Sequence, residues 1–247
     1  MKRFRVAVVV AALALAAPSM GAGKKDKAEK AGEIVDSGSF GVFVGGKRVA
    51  TEKFQIEKRD DAILATSELT VDDGNQKASQ TSDLRLSSSG DLLRYSWKEQ
   101  SPGKGATVVE PKDMFLMEYI TPSPTEKAQE LPFAVSRSTV ILDDNFFSHR
   151  QLLARRYLEA GCRPGLGQTS CRLPKMKFGV IVPRQAAFIT VSLEYIGREK
   201  VKVGGAEREL NRFSLSSDGM DWALWLDDQY KLVRILIAAD NTEVLRD

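Results

Sequence analysis

One histidine, His149, and two cysteines, Cys162 and Cys171, are all that 247 residues offer of the side chains that most often bind metals or act as nucleophiles. So few imidazoles and thiols exclude a His/Cys metal cluster. Ser148 is the immediate neighbour of His149, but adjacent helical residues point about 100° apart and do not face each other, so no Ser–His pair follows. A phosphate loop, a nucleophile elbow and a dinucleotide fingerprint are also missing. No catalytic residues, no metal site and no cofactor are expected.

Long apolar runs are scarce too. The one unbroken run, Val6 to Ala17, follows Lys2, Arg3 and Arg5 and precedes Pro18, Ser19 and small residues, the pattern of a secretory signal. It is too short to span a bilayer as a stable helix, so no transmembrane segment is expected once the signal is removed. Cleavage after Gly21 or after Ala16 satisfies the small-residue rule. No cysteine lies near either site, so a lipoprotein anchor is not expected. The expected organisation is a signal peptide over 1–21, a disordered leader over 22–32 and a single domain over 33–247, periplasmic or secreted.

Excess charge is the next absence. The formal net charge of +3 comes from 36 basic and 33 acidic residues, and loss of Lys2, Arg3 and Arg5 makes the two equal in number. A basic footprint for nucleic acid is therefore lacking. Lys24, Lys25, Lys27 and Lys30 read as a solvated leader. In an oxidising compartment Cys162 and Cys171, flanking CRPGLGQTSC, read as one disulfide; the sharper alternative, a redox pair, lacks the Cys-x-x-Cys spacing.

What the chain has in quantity is alternating strands. Ser37–Val44 and Arg48–Glu57 flank Gly45-Gly46, and the pattern continues through Ala62–Val71, Lys77–Leu86, Leu92–Glu99, Ala106–Glu110 and Asp113–Ile120. Two prolines make Thr121–Glu130 a loop, and Ser138–Leu142 reads as a short strand. Later strands are expected over Lys175–Val182, Ala187–Ile196, Glu199–Val203, Glu207–Leu215, Met220–Leu226, Tyr230–Ala238 and Glu243–Arg246. Val42–Ile56 and Val201–Leu215 match at a constant offset, glycine pairs included, which implies two equivalent hairpins.

The one long helix expected is Asp143–Ala160. Asp143 or Asp144 supplies its cap, Phe146, Leu153, Tyr157 and Ala160 recur at helical spacing, and Gly161 stops it. His149 is placed at the edge of that apolar stripe. The Asp pairs at 60–61, 72–73, 143–144 and 227–228 sit where turns or a helix start favour aspartate without a ligand. The fold class is mainly β: a curved antiparallel sheet, half-barrel or β roll, of about a dozen strands wrapped around one long helix. Trp222 and Trp225 fall on opposite faces of one strand, so both faces need cover. The helix covers one, and either the loop from Thr121 to Pro132 covers the other or part of the concave side is a pocket.

The Gly-x-Phe-x-Val-x-x-Gly-Gly hairpin from Gly38, the segment LRLSSSGDLLRYSW, a helix set within the sheet and the closing WALWLDDQYKLVRI hairpin resemble the outer-membrane lipoprotein carrier superfamily over Gly38 to Arg246. The resemblance implies an unclosed periplasmic β half-barrel that shields a lipid or other hydrophobic ligand between sheet and helix. No carrier residue maps onto a position here, so the lipoprotein substrate is not carried over. By strand and helix pattern, Leu93, Tyr95, Trp97, Phe115, Phe146, Leu153 and Trp222 are the candidate lining. The leading expectation is non-enzymatic binding of a lipid or hydrophobic small molecule. An envelope assembly module with a filled core, meeting another envelope protein, comes next, and a hydrolase of an envelope polymer third.

Overall fold

A computed structural model of the chain describes residues 32–74, 76–163, 170–171, 175–217 and 219–247. The expected signal peptide, the leader up to residue 31 and most of the loop between the cysteines lie outside the described residues.

Among the described residues, period-two alternation yields seventeen strands: β1 (Glu33–Val44), β2 (Lys47–Lys58), β3 (Ala62–Asp72), β4 (Lys77–Ser87), β5 (Leu92–Ser101), β6 (Ala106–Lys112), β7 (Phe115–Thr121), β8 (Gln129–Phe133), β9 (Val140–Ile141), β10 (Cys162–Arg163), β11 (Ser170–Cys171), β12 (Lys175–Val182), β13 (Ala187–Val203), β14 (Ala206–Ser217), β15 (Met220–Leu226), β16 (Leu232–Ile237) and β17 (Thr242–Arg246). Fifteen form one open, curved sheet. From β1 it meanders outward through β2 to β8 on one side, and through β17 back to β12 on the other, with β9 added to β12 in parallel. β1 and β17 pair in the middle and join the two halves of the chain. The separate β10–β11 ladder sets Cys162 opposite Cys171.

The strand bounds follow the turn chemistry. Gly45-Gly46 and Gly204-Gly205 all have positive φ, as a two-residue hairpin turn requires, so the two matching segments are equivalent hairpins. The two strands expected over Ala187–Ile196 and Glu199–Val203 are one. A bulge between Tyr195 and Gly197, with Gly197 at φ 134°, bends the strand and carries Glu199 and Val201 to the outer face without ending it. The expected Thr121–Glu130 loop is shorter than that, because β8 begins at Gln129. Its Pro132 is tolerated because β8 is an edge strand.

The helix differs more. α1 spans Ser148–Gly161, fourteen residues, so the long helix expected from Asp143 is a short one. Asp143 does not cap it. Its side chain instead accepts from the Asn145 N–H at 2.9 Å and from Tyr95 Oη at 2.7 Å, which holds 143–147 in a turn. Capping comes from the sheet: Glu52 of β2 accepts from the Phe147 N–H at 2.6 Å and the Ser148 N–H at 3.4 Å. A carboxylate there meets both the orphan donors and the positive end of the helix. Gln151 then donates to Asp36 of β1 at 2.8 Å and accepts from the Leu232 N–H at 2.7 Å, while the Tyr157 hydroxyl accepts from the Tyr195 N–H at 3.2 Å. α1 is therefore pinned on the concave side through its first turn and again at Tyr157.

Phe40, Phe54, Ile56, Leu84, Tyr95, Leu153, Tyr157, Phe213 and Leu224 belong to one core that joins both halves of the sheet to α1. The sheet curls until Leu92 of β5 donates its N–H to Arg137, just before β9, at 2.8 Å. Trp222 faces this core. Trp225, on the outer face, packs with Val201, Leu210 and Val233, and its ring is flanked by Arg212 and Arg234 at 5.8 and 4.9 Å. That small outer cluster contains no residue of Thr121–Pro132, so arginine guanidinium groups supply the cover expected of the loop.

Candidate functional site

Where α1 meets one end of the curved sheet the core leaves a cavity of about 380 Å³. Its floor is Ile56, Ala62, Leu84, Ile141 and Leu153, all buried, and Val35, Ile63, Leu86, Val140 and Leu152 form its half-buried walls. Lys58, Arg59, Arg155 and Arg156 stand around it with Glu33 and Glu159. Arg59 is paired to Glu57 at 2.9 Å, and Arg156 donates to the Gly90 carbonyl at 3.2 Å, which sets two guanidinium groups at its border. An apolar interior under a polar margin suits a ligand with an apolar body.

His149 also borders this cavity, and it lies within the core where the edge of the apolar stripe was expected. The first turn of α1 is buried although every residue in it is polar: Ser148, His149, Arg150 and Gln151. Each has partners from elsewhere. Ser148 meets Ser67 hydroxyl to hydroxyl at 3.0 Å, and Ser67 also donates to Glu52 at 2.8 Å. Arg150 donates to the carbonyls of Asp143 and Phe146 and stacks on Trp222 at 4.6 Å. His149 accepts the Asp143 N–H on Nδ1 at 3.3 Å, between the rings of Tyr95 and Phe146. Burial, only partly opposed by Asp143, holds its pKa down to about 4, so the imidazole is neutral near pH 7.

Beside it, Asp143 accepts from Tyr95 and faces Arg184 at 3.3 Å, and Arg184 lies over the Trp97 ring at 5.7 Å. Burial, with the Asp143 charge, pushes the Tyr95 hydroxyl well above its usual range. This network ties β5 to the segment before α1 and to the turn after β12, closing the curl of the sheet by side chains where no ladder does.

The seven residues chosen by pattern are dispersed. Leu153 borders the cavity. Tyr95 and Phe146 are fully buried core, and Trp97 is half-buried with Nε1 donating to Gln80 at 3.2 Å. Leu93 and Phe115 are 38% and 41% exposed, and Trp222 lines a separate pocket of about 50 Å³ with Arg150. The cavity residues that pattern missed are aliphatic, Ala62, Ile63, Leu86 and Val140 among them. Only the alternation that puts Ile56 and Leu84 inward gave a sign of them. Among the described residues no group of three or more His, Cys, Asp or Glu is placed to hold a metal, and no helix is long and apolar enough to cross a membrane.

No protein-family model matches the chain, and no curated protein matches it. Among solved structures it is similar to a beta-barrel-like protein of a domain of unknown function, DUF1849, from Brucella abortus. The TM-score is 0.50 at 9% identity, over 88% of this chain and 97% of that one. At that identity the likeness speaks to the fold alone: a beta-barrel-like curved sheet, shared over nearly the whole of both chains.

Proposed function

We propose that this protein binds a lipid or other hydrophobic ligand, without catalysis, in the cavity between α1 and the curved sheet. The observation that carries the reading is the cavity itself: about 380 Å³ with a buried apolar floor, where α1 meets the curved sheet. The resemblance of the strand pattern to the outer-membrane lipoprotein carrier superfamily supports it. In this reading the protein is exported by the amino-terminal signal and works in the periplasm or outside the cell. Cys162 and Cys171, opposite each other in β10 and β11, form a bridge that staples the chain after α1.

The runner-up, an assembly module meeting another envelope protein, draws on Met114 and Phe115, which are exposed at the β6–β7 turn, and on the outer edge of β8. It requires a filled core, and the cavity weighs against that.

The test is native mass spectrometry of the full chain expressed to the periplasm. Reproducible bound lipid is expected, and Leu152→Glu, which puts a charge on a half-buried wall, is expected to remove it while far-ultraviolet circular dichroism is unchanged. A clean mass even after lipid is offered would sink the reading and point to protein partners.

A further inference from the structure

This inference rests on the ligand reading above and names the chemistry of the ligand's head. Along four of the elements that border the cavity, the lining changes from apolar to polar or charged toward the same end of the sheet. On β2 the step is from Ile56 to Lys58, two residues on and so on the same face. On β1, read backwards, it is from Val35 to Glu33, and Leu84 and Leu86 of β4 give way to Ser88 and Gly90. On α1, Leu152, Arg155, Arg156 and Glu159 follow at helical spacing along one face. Strand register aligns these steps: Glu33 lies opposite Lys58, Lys58 opposite Ile63, and Ala62 opposite Ser87. The bond from Arg156 to the Gly90 carbonyl sets the arginine turn of α1 at the same end. Exposure runs the same way, for Ile56, Leu84 and Leu153 are buried, while Glu33, Lys58, Ser88 and Glu159 are exposed. The cavity therefore has an apolar floor and a charged mouth.

Lys58, Arg59, Arg155 and Arg156 stand at that mouth against Glu33 and Glu159, so cations outnumber carboxylates by two. Arg59 is matched by Glu57, and counting Glu57 in still leaves one cation over. Lys58 and Arg155 make no hydrogen bond or ion pair with another described residue, and Arg155 is half-buried with its Nε fully so. A partly desolvated guanidinium without an anion is unfavourable, and its fork of donors matches a planar carboxylate or a phosphate. We infer that the ligand is a single-chain amphiphile with an anionic head, a carboxylate or a phosphate monoester. Its chain lies against Ile56, Leu84 and Leu153, and its head sits at the mouth with Arg155 and Lys58. The cavity, about 380 Å³, is near the low end of the about 300–1,000 Å³ that small-ligand pockets span, which is room for one acyl chain rather than two. A cationic head would meet the excess charge as repulsion, and a neutral one would leave it unmet.

Four ten-carbon probes that differ only in the head test this by isothermal titration calorimetry on the full chain: decanoate, decyl phosphate, 1-decanol and decyltrimethylammonium. At low salt at least one anion is expected to bind about 10-fold tighter than 1-decanol, and the cation more weakly than 1-decanol. The tighter of the two anions distinguishes a carboxylate head from a phosphate. The preference is expected to shrink at high salt, because the mouth is exposed. In the double variant Lys58→Gln/Arg155→Gln, with its fold checked by circular dichroism, the anions are expected to bind no tighter than 1-decanol, while Arg155→Lys keeps most of the preference. Binding of none of the four overturns the ligand reading and this inference with it. Binding of 1-decanol or the cation as tightly as both anions, or a preference that survives the double substitution, overturns this inference and leaves the ligand reading standing.

Discussion

Glu52→Ala is expected to destabilise the protein by about 3–5 kcal/mol, the cost of breaking a buried charged network by removing one member. Glu52 is the acceptor for the Phe147 and Ser148 N–H groups and for the Ser67 hydroxyl, and all of these lie inside the fold. Burial pushes its carboxyl upward, and those donors pull it back only in part. The substitution therefore leaves several donors without an acceptor and the start of α1 without its anion. Glu52→Gln keeps one acceptor oxygen and is expected to cost no more than about 1–2 kcal/mol. Urea denaturation of the three proteins decides it: equal midpoints for Glu52→Ala and wild type would show that α1 is seated by apolar packing alone. The cavity depends on the same seat, since α1 forms one wall.

Glu118→Gln has the opposite sign. Glu118 of β7 is buried with both carboxyl oxygens unpartnered, and burial raises its pKa from 4.5 to about 8. Below pH 4.5 it is protonated folded and unfolded alike, and it adds no pH dependence. Between 4.5 and 8 the folded chain keeps a proton that the unfolded chain releases, so stability falls as pH rises, and the loss is complete above 8. Glu118→Gln is therefore expected to match wild type at pH 4 and to exceed it at pH 8.5 by on the order of 5 kcal/mol. Identical urea midpoints at pH 8.5 would show that the carboxyl reaches a partner or water.

His149 supplies the opposing slope. Its pKa falls from 6.5 to about 4 on folding, so the unfolded chain binds the extra proton between those values, and stability drops as pH is lowered through that window. From pH 4.5 to 6.5 the two groups offset each other. In Glu118→Gln one opposing slope is gone, and midpoints at pH 4.5, 5.5 and 6.5 are expected to rise more steeply with pH than those of wild type.

Much of the fold was legible. Lys175–Val182 and Met220–Leu226 have the limits their alternation predicts, and both Gly-Gly pairs form the turns expected of them, because turn residues and two-residue periodicity are local properties. The start of the helix was misplaced because Asp143 has two local uses, cap or turn. The choice was made by Tyr95 and Arg184, distant in sequence. The Gly197 bulge was mistaken for a strand end because glycine marks both. Of the candidate lining, Leu153 borders the cavity, on the face that helical spacing turns inward. Leu93 and Phe115 were chosen as large apolar residues on strands, but the register of the sheet turns them outward.

By itself the sequence determined most of the strands, the two Gly-Gly hairpins and the presence of one helix, since each depends on residues within a turn or two of one another. Tertiary structure alone decided that five separate segments would surround one cavity, that Glu52 would cap a helix nearly a hundred residues away, and that a polar helical turn would be buried with His149 at the border of an apolar space. Those outcomes depend on how far a fifteen-stranded sheet curls before Tyr95, Asp143 and Arg184 fasten its ends. That curl is set by the summed twist and bulges of every strand, which no short stretch of sequence contains.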